Sequence, residues 1–309
     1  MGRRRPRGRL VNGILLLDKP AGITSNGALQ QAKRLFDAAK AGHTGSLDPI
    51  ATGVLPICFG EATKFSQYLL DANKRYETTI KLGVKTTTGD SEGEVIEERD
   101  VPKLDRETID ACLETFRGEI KQVPSMYSAI KKDGQPLYKL ARQGIEVERQ
   151  ARDISIYSLM LSAFDETTLN LDVHCSKGTY IRSLAEDIGE VLGCGAHVIA
   201  LRRTGVGAFD IADTVDFDAV SRASDGDARA LDGLLRPVEE AVSAMPSVTL
   251  STLSGAYLLQ GQPVQVANAP RDGLVQLFQS SGDHDQFIGI GEVLDDGRIA
   301  PRRLLAAQT

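Results

Sequence analysis

Between residues 42 and 53 the chain reads Gly-His-Thr-Gly-Ser-Leu-Asp-Pro-Ile-Ala-Thr-Gly, a segment that suits neither a helix nor an unbroken strand. Glycines 42, 45 and 53 allow backbone turns that other residues resist, and Pro49 fixes φ directly after Asp48. Such a loop presents side chains instead of filling a core. It offers one carboxylate, Asp48, and one imidazole, His43, with no second acid or cysteine nearby. The same residues also read as an ordinary Asx-type turn, because aspartate before proline is common turn chemistry. The rest of the chain has to decide between the two.

A length of 309 residues suggests one large domain and a small one. No run approaches the roughly 18 apolar residues of a membrane span, and the arginine-rich start lacks the apolar stretch of a signal peptide. A cytoplasmic protein is expected. Cys58, Cys112, Cys175 and Cys194 are scattered, which fits a reducing compartment and gives no disulfide framework.

The net charge of −6 hides strong segregation. Residues 1–50 carry nine Lys/Arg against three acids, and residues 121–152 carry seven against three. Residues 89–119 carry four against eleven, and residues 210–240 three against nine. A bipolar molecule can hold a polyanion on one face while the other stays solvated. Two basic segments bracket Asp48. The run Arg3-Arg4-Arg5-Pro6-Arg7-Gly8-Arg9 reads equally as an RNA-contacting arm or a solubilising tail.

Along the chain, Gly13 to Asp18 reads as a buried strand that Lys19-Pro20-Ala21-Gly22 turns into a helix. Ser25 or Asn26 is the expected cap, and Leu29, Ala32, Leu35 and Phe36 form the apolar stripe. Val54 to Phe59 is a short apolar stretch leading to Gly60-Glu61-Ala62-Thr63-Lys64. That element lacks the Gly-Lys-Ser/Thr order of a phosphate loop, so nucleotide hydrolysis is rejected. Arg75 to Leu82 alternates, with Tyr76, Thr78, Ile80 and Leu82 on one face. Tyr76 is then either a core-edge tyrosine or an aromatic floor for a base.

Residues 121–152 read as an exposed excursion, with a hairpin turn at Asp133-Gly134 and a short helix from Leu137 to Gln143 ending at Gly144. Basic residues interleaved with Tyr127 and Tyr138 suit stacking and phosphate contact, and a mobile flap would share that composition. Leu169 to Cys175 alternates as a strand, followed by a helix with the stripe Ile181, Leu184, Ala185, Ile188, Val191 and Leu192, capped by Thr179. Arg182 then sits in the first turn, where the helix dipole disfavours a cation by a few tenths of a kcal/mol, about the size of other exposed dipole effects. An acidic partner is expected, and Asp48 and Glu186 are the candidates.

His174-Cys175 and Cys194-Gly195-Ala196-His197 invite a zinc reading. Adjacent strand residues face opposite ways, so His174 and Cys175 cannot share one ion without distortion, and no metal site is assigned. Residues 241–247 read as a linker. From Val248 onward short alternating strands, Leu274 to Phe278 and Phe287 to Val293, predict a small β-barrel or sandwich.

Six pieces in order closely resemble the bacterial TruB-type tRNA pseudouridine synthases, which isomerise uridine 55 in the T-loop. They are residues 17–25 (LDKPAGITS), 41–64, 74–76 (KRY), 124–129 (PSMYSA), 174–182 and 193–203. The resemblance implies an α+β chain of the pseudouridine synthase fold: a mixed, mostly antiparallel central sheet with flanking helices and a thumb insertion, plus a small β-barrel PUA-like domain. The corresponding divisions are a basic arm at 1–10, a catalytic domain at 11–245 with its thumb at 121–152, and an RNA-binding domain at 246–309. It also implies that Asp48 is the nucleophile, that Tyr76 stacks on the target base and that Arg182 pairs with Asp48. His43, Tyr180 and Leu201 complete the uridine site, with Lys19 among the residues contacting substrate. The implied partner is the T-arm of tRNA, engaged by a monomer needing no cofactor, metal, membrane or second protein.

The chemistry agrees with these roles. Pseudouridine formation breaks the C1′–N1 bond and remakes it through C5, with no redox step. A carboxylate can attack C1′ or C6, or promote elimination to a glycal, and the sequence does not choose among them. An arginine keeps that carboxylate ionised and oriented. Reaching a T-loop base requires extrusion at a cost of about a few kcal/mol, and His43 could occupy the vacated space. Two other readings compete: a tRNA-binding or folding protein without turnover, and a phosphate-binding enzyme built on the glycine loops, disfavoured by the missing Lys-Ser/Thr element.

Overall fold

The computed structural model describes residues 8–306 except 129, 133, 225 and 283. Most of the arginine-rich arm, residues 1–7, and the Asp133 half of the expected turn therefore lie outside the described residues. The first half of the chain runs β1 (Gly13–Lys19), α1 (Ser25–Leu35), β2 (Ala41–His43), β3 (Thr52–Phe59), α2 (Ser66–Asp71), β4 (Lys74–Leu82), β5 (Val84–Thr86), β6 (Val95–Glu98), α3 (Arg106–Glu114) and β7 (Gly118–Gln122). It continues through β8 (Lys131–Lys132), β9 (Gln135–Pro136), α4 (Leu137–Ala141), β10 (Arg152–Phe164), β11 (Thr168–Cys175), α5 (Ile181–Val191), β12 (Ala196–Val206), β13 (Phe209–Asp210) and α6 (Phe217–Ser224). The last unit holds β14 (Ser247–Leu250), α7 (Thr252–Leu259), β15 (Leu274–Ser281), β16 (His284–Val293) and β17 (Ile299–Leu304).

The central sheet has the order β1-β3-β12-β4-β11-β10-β7, with β2 paired to β3 and β13 to β12. Every ladder in it is antiparallel except β3 with β12. The mixed, mostly antiparallel sheet expected from the sequence is what forms. Strand β4 is central because its alternation supplies a buried face, Lys74, Thr78, Ile80 and Leu82, with a ladder partner on each side. That places Tyr76 opposite Val173 of β11 and Arg203 of β12. The parallel contact brings β3 so close to β12 that a Cβ on Gly53, at φ +99°, would run into the Arg203 carbonyl. Glycine there is a requirement of the fold.

Several local expectations need correcting. Helix α1 is capped by Thr24, whose Oγ1 accepts from the Gly27 amide at 3.0 Å, and not by Ser25 or Asn26. Ser25 is occupied elsewhere: its hydroxyl accepts from the Leu47 amide at 2.7 Å and donates to the Leu47 carbonyl at 3.0 Å, tying the helix to the Asp48 loop. Thr179 does not cap α5, because its hydroxyl donates back to the Ser176 carbonyl at 3.0 Å and Tyr180 takes the cap position. In the α5 stripe Val191 is exposed, while Ile181, Leu184, Ala185, Ile188 and Leu192 are buried. Helix α4 stops at Ala141, with Gly144 at φ +71° closing the turn that follows.

The terminal unit is a four-stranded sheet, β14-β15-β16-β17, with α7 beside it. Among the described residues no ladder joins β17 to β14, so the expected barrel is an open sheet. Phe287 and Ile290 of this unit pack into one cluster with Phe65 and Leu69 near α2. Phe287 lies 5.6 Å from the Phe65 ring and 5.5 Å from that of Phe278. Polar ties reinforce the contact, from Lys64 Nζ to the Leu304 carbonyl at 3.0 Å and from the Ala306 amide to Glu61 at 2.6 Å.

Candidate active site

The loop after β2 carries Asp48 across the end of the sheet to the start of α5. Arg182 Nε donates to Asp48 Oδ2 at 2.9 Å, which settles the arginine's partner in favour of Asp48 over Glu186. Each of the other two guanidinium nitrogens also finds a backbone acceptor: Nη1 donates to the Thr88 carbonyl at 2.7 Å and Nη2 to the Tyr127 carbonyl at 2.8 Å. Asp90 stands 3.6 Å away on the other side. The arginine side chain is 5% exposed whereas that of Asp48 is 39% exposed, so the carboxylate is the member that can meet a ligand. Burial pushes the Asp48 carboxyl above the usual range; Arg182 pulls it back and Asp90 adds to the rise.

Asp48 opens onto a cavity of about 320 Å³ whose walls include Tyr76, Tyr180, Leu201 and Arg182. Four of the residues expected around a uridine thus meet Asp48 in one space. Tyr76 and Tyr180 are both held above the ordinary phenol range by burial, so both hydroxyls stay protonated at neutral pH. Tyr180 is fixed by Gln122, which accepts its amide at 2.8 Å and donates to its carbonyl at 3.0 Å. On the far side of Asp48 a second cavity of about 630 Å³ is lined by His43, Tyr127, Tyr138, Arg142 and Arg182. His43 therefore faces the neighbour of the uridine-sized cavity. Its Nδ1 is buried without a partner, and burial, with Arg203 adding, lowers its pKa, so the ring is neutral.

Lys19 departs from expectation. It is fully buried, and its amine donates to the carbonyls of Pro20 and Ile23 at 2.8 Å and of Pro49 at 3.4 Å. All its protons are committed beneath the Asp48 loop, so it braces that loop and does not reach a ligand. Burial lowers its pKa to about 8, against the pull of Asp48.

The family profile described as "TruB family pseudouridylate synthase (N terminal domain)" matches residues 33–181. The profile for the "tRNA pseudouridylate synthase B C-terminal domain" matches 182–243, and that for "Pseudouridine synthase II TruB, C-terminal" matches 246–305. The "tRNA pseudouridine synthase B" of Ectopseudomonas mendocina is 59% identical over 96% of both chains, and that of Pseudomonas aeruginosa 56% over 96% of this chain and 97% of its own. The chain belongs to the TruB pseudouridylate synthase family. Among solved structures, one from a Cbf5–Nop10–Gar1 complex superposes with a TM-score of 0.71 at 27% identity, covering 92% of this chain and 79% of that one.

In this TruB chain, sequence reasoning missed the residues that hold the recognised ones. Asp90 lies in the β5–β6 hairpin, within an acidic stretch that reads as solvated surface; it is buried, and Thr88 Oγ1 donates to it at 2.5 Å. Arg203, on β12, donates from Nε to the Val54 carbonyl at 2.7 Å and from Nη2 to the Gly45 carbonyl at 3.0 Å, holding both sides of the loop. Gln122 sits at the end of β7, where nothing in its neighbours marks it. Only Arg203 carried a signal, a charge on an inward-facing strand position opposite Tyr76.

Proposed function

We propose that this chain is a tRNA pseudouridine synthase, converting uridine 55 in the T-loop to pseudouridine with Asp48 as the nucleophile. The observation that carries the reading is the Asp48–Arg182 pair, 2.9 Å apart, opening onto a cavity shared with Tyr76, Tyr180 and Leu201. The curated relatives above 50% identity bear that activity as their name.

The target base is flipped onto Tyr76, with Leu201 and Tyr180 against its edges. Asp48, ionised beside Arg182, acts on the ribose or the ring while the glycosidic bond opens. His43, neutral and beyond the carboxylate, fills the space the nucleotide leaves. The basic 121–152 segment serves as a thumb over the T-arm, and the 246–309 unit, PUA-like, as an accessory to the catalytic domain. The reaction needs no redox partner and no external group, so it can run without a cofactor or metal; we take the enzyme to act as a monomer in the cytoplasm.

Incubation with an unmodified tRNA transcript, without metal or nucleotide, should convert one T-loop uridine. Asp48→Asn should abolish conversion while RNA binding survives. Binding without conversion by the unaltered protein would favour a tRNA-folding role, and conversion unchanged in Asp48→Asn would remove the nucleophile assignment.

A further inference from the structure

The cavity beside Asp48 is also lined by two cations, Lys74, which the roles above leave unused, and Arg203, which they use only to hold the loop. Lys74 and Tyr76 lie two apart on β4 and face the same way, and Arg203 stands opposite Tyr76 on β12. All three line the cavity. Both cations are buried, and among the described residues neither has a carboxylate within ion-pair distance. Their protons go to backbone carbonyls instead. Lys74 Nζ donates to Leu70 at 2.6 Å, Ala72 at 2.5 Å and Leu69 at 3.3 Å, and Arg203 to Val54 and Gly45. Two buried charges without counter-ions are costly, and they make the adjoining space favourable to an anion.

We propose that Lys74 and Arg203 form a fixed cationic floor that holds the detached uracil as an anion between cleavage of its C1′–N1 bond and its reattachment through C5. The inference rests on the pseudouridine synthase reading. Heterolysis leaves the bond's electron pair on the base, spread over N1, O2 and O4, while C1′ passes to Asp48 or to the glycal. Reattachment spends that pair on the C5–C1′ bond: if C1′ was held on Asp48, the C1′–Oδ bond breaks and returns the carboxylate, and if a glycal formed, Asp48 gives back the C2′ proton it removed; C5 then loses its proton and N1 gains one, so the sum is an isomerisation with no co-reactant. A neutral uracil would be a poor nucleophile at C5. Lys74, whose three protons are already committed, and Arg203, which does not give up a proton near neutral pH, stabilise the anion without protonating it. Leu70, Ile181 and Leu201 line the same cavity and keep it weakly polar, which strengthens the field.

The alternative role for Lys74 is to cap the last carbonyls of α2, and the test separates the two. Cleavage of the parent nucleoside is followed in single turnover with T-arm RNA carrying uridine or 5-fluorouridine, whose fluorine itself stabilises the departing anion. Lys74→Gln should slow cleavage of uridine at least about tenfold, at the low side of a preorganised electrostatic group, and slow 5-fluorouridine several-fold less. Lys74→Arg should restore the uridine rate. A second readout does not require Lys74→Gln to fold. Burial, with Arg203 adding, lowers the Lys74 pKa to about 8, against Cys175 and Asp71, with Lys177 also nearby. The wild-type cleavage rate should therefore fall above about pH 8, and that fall should vanish in Lys74→Arg. Equal slowing of both substrates, or an alkaline fall that Lys74→Arg leaves in place, overturns the proposal. Absence of any conversion by the wild type would instead overturn the synthase reading.

Discussion

The reactive pair divides its labour by exposure. Arg182 is held by two carbonyls and cannot follow the substrate, so it fixes where the negative charge sits; Asp48 is the more exposed member of the pair. Burial outweighs the arginine in setting the Asp48 carboxyl, and this has a pH consequence. In the proposed mechanism only the carboxylate form attacks, so kcat/KM should fall on acidification through a limb above the usual carboxylate value of about 4. Arg182→Gln, which removes the lowering charge, should move the limb higher still. A pH–rate profile whose limb lies at or below the ordinary value would contradict this. The same shift sets a stability sign: the native state binds the proton more tightly than the unfolded chain, so ionising Asp48 weakens the fold as pH rises through that window. At this scale the sequence was legible where a residue violated its surroundings. An arginine in a helix's first turn demands an anion, and an aspartate between glycines and a proline is on display. The resemblance alone gives Lys19 a substrate contact, and nothing local in the sequence shows that the Pro20, Ile23 and Pro49 carbonyls take up its amine.

Elements, not single residues, assemble the arginine's surroundings. Helix α5 supplies Arg182 at its start and Glu190 near its end, and the β5–β6 hairpin grips both. Thr88 and Asp90 hold the arginine, while Lys85 and Arg99 reach Glu190 at 2.5 and 2.8 Å. Between them Gly89 turns at φ +72°, where an added Cβ would stand 3.1 Å from the Glu186 carboxyl. Gly89→Ala should cost roughly 1–2 kcal/mol of stability for the left-handed backbone and lower activity further by shifting the Thr88 carbonyl off Arg182. Chemical denaturation and single-turnover rates measured side by side test it; a loss of activity no larger than the loss of stability explains would refute the coupling. The alternating strands β4 and β11 could be read directly, since period-two burial leaves a strong pattern. The hairpin could not. Its strands are short, only β6 is exposed and acidic, and its place depends on Asp90 bridging to Val198 of β12, more than a hundred residues away.

For the whole molecule, the terminal sheet is part of the support of the catalytic half. Phe287 fills the space between Phe278 and Phe65, and Phe65 precedes α2, whose last carbonyls hold Lys74. Phe287→Ala should lower stability by about 3–5 kcal/mol, as for other buried aromatic truncations, in a single unfolding transition that includes the catalytic domain. Unfolding in two separate steps, with the larger one unchanged, would show that the units are independent. Composition marks an expected boundary near Pro246. The packing across it was not readable, because an apolar residue on a strand does not say whether its neighbour belongs to its own sheet or to another.

Among the described residues the Tyr127 carbonyl is one of two backbone anchors of Arg182, and it belongs to the basic 121–152 excursion. Any outward swing of that excursion at Tyr127 withdraws an acceptor from the guanidinium and loosens its hold on Asp48. An excursion that opened there to admit a polymer would slacken the carboxylate blade, and one that closed behind the guest would set it again.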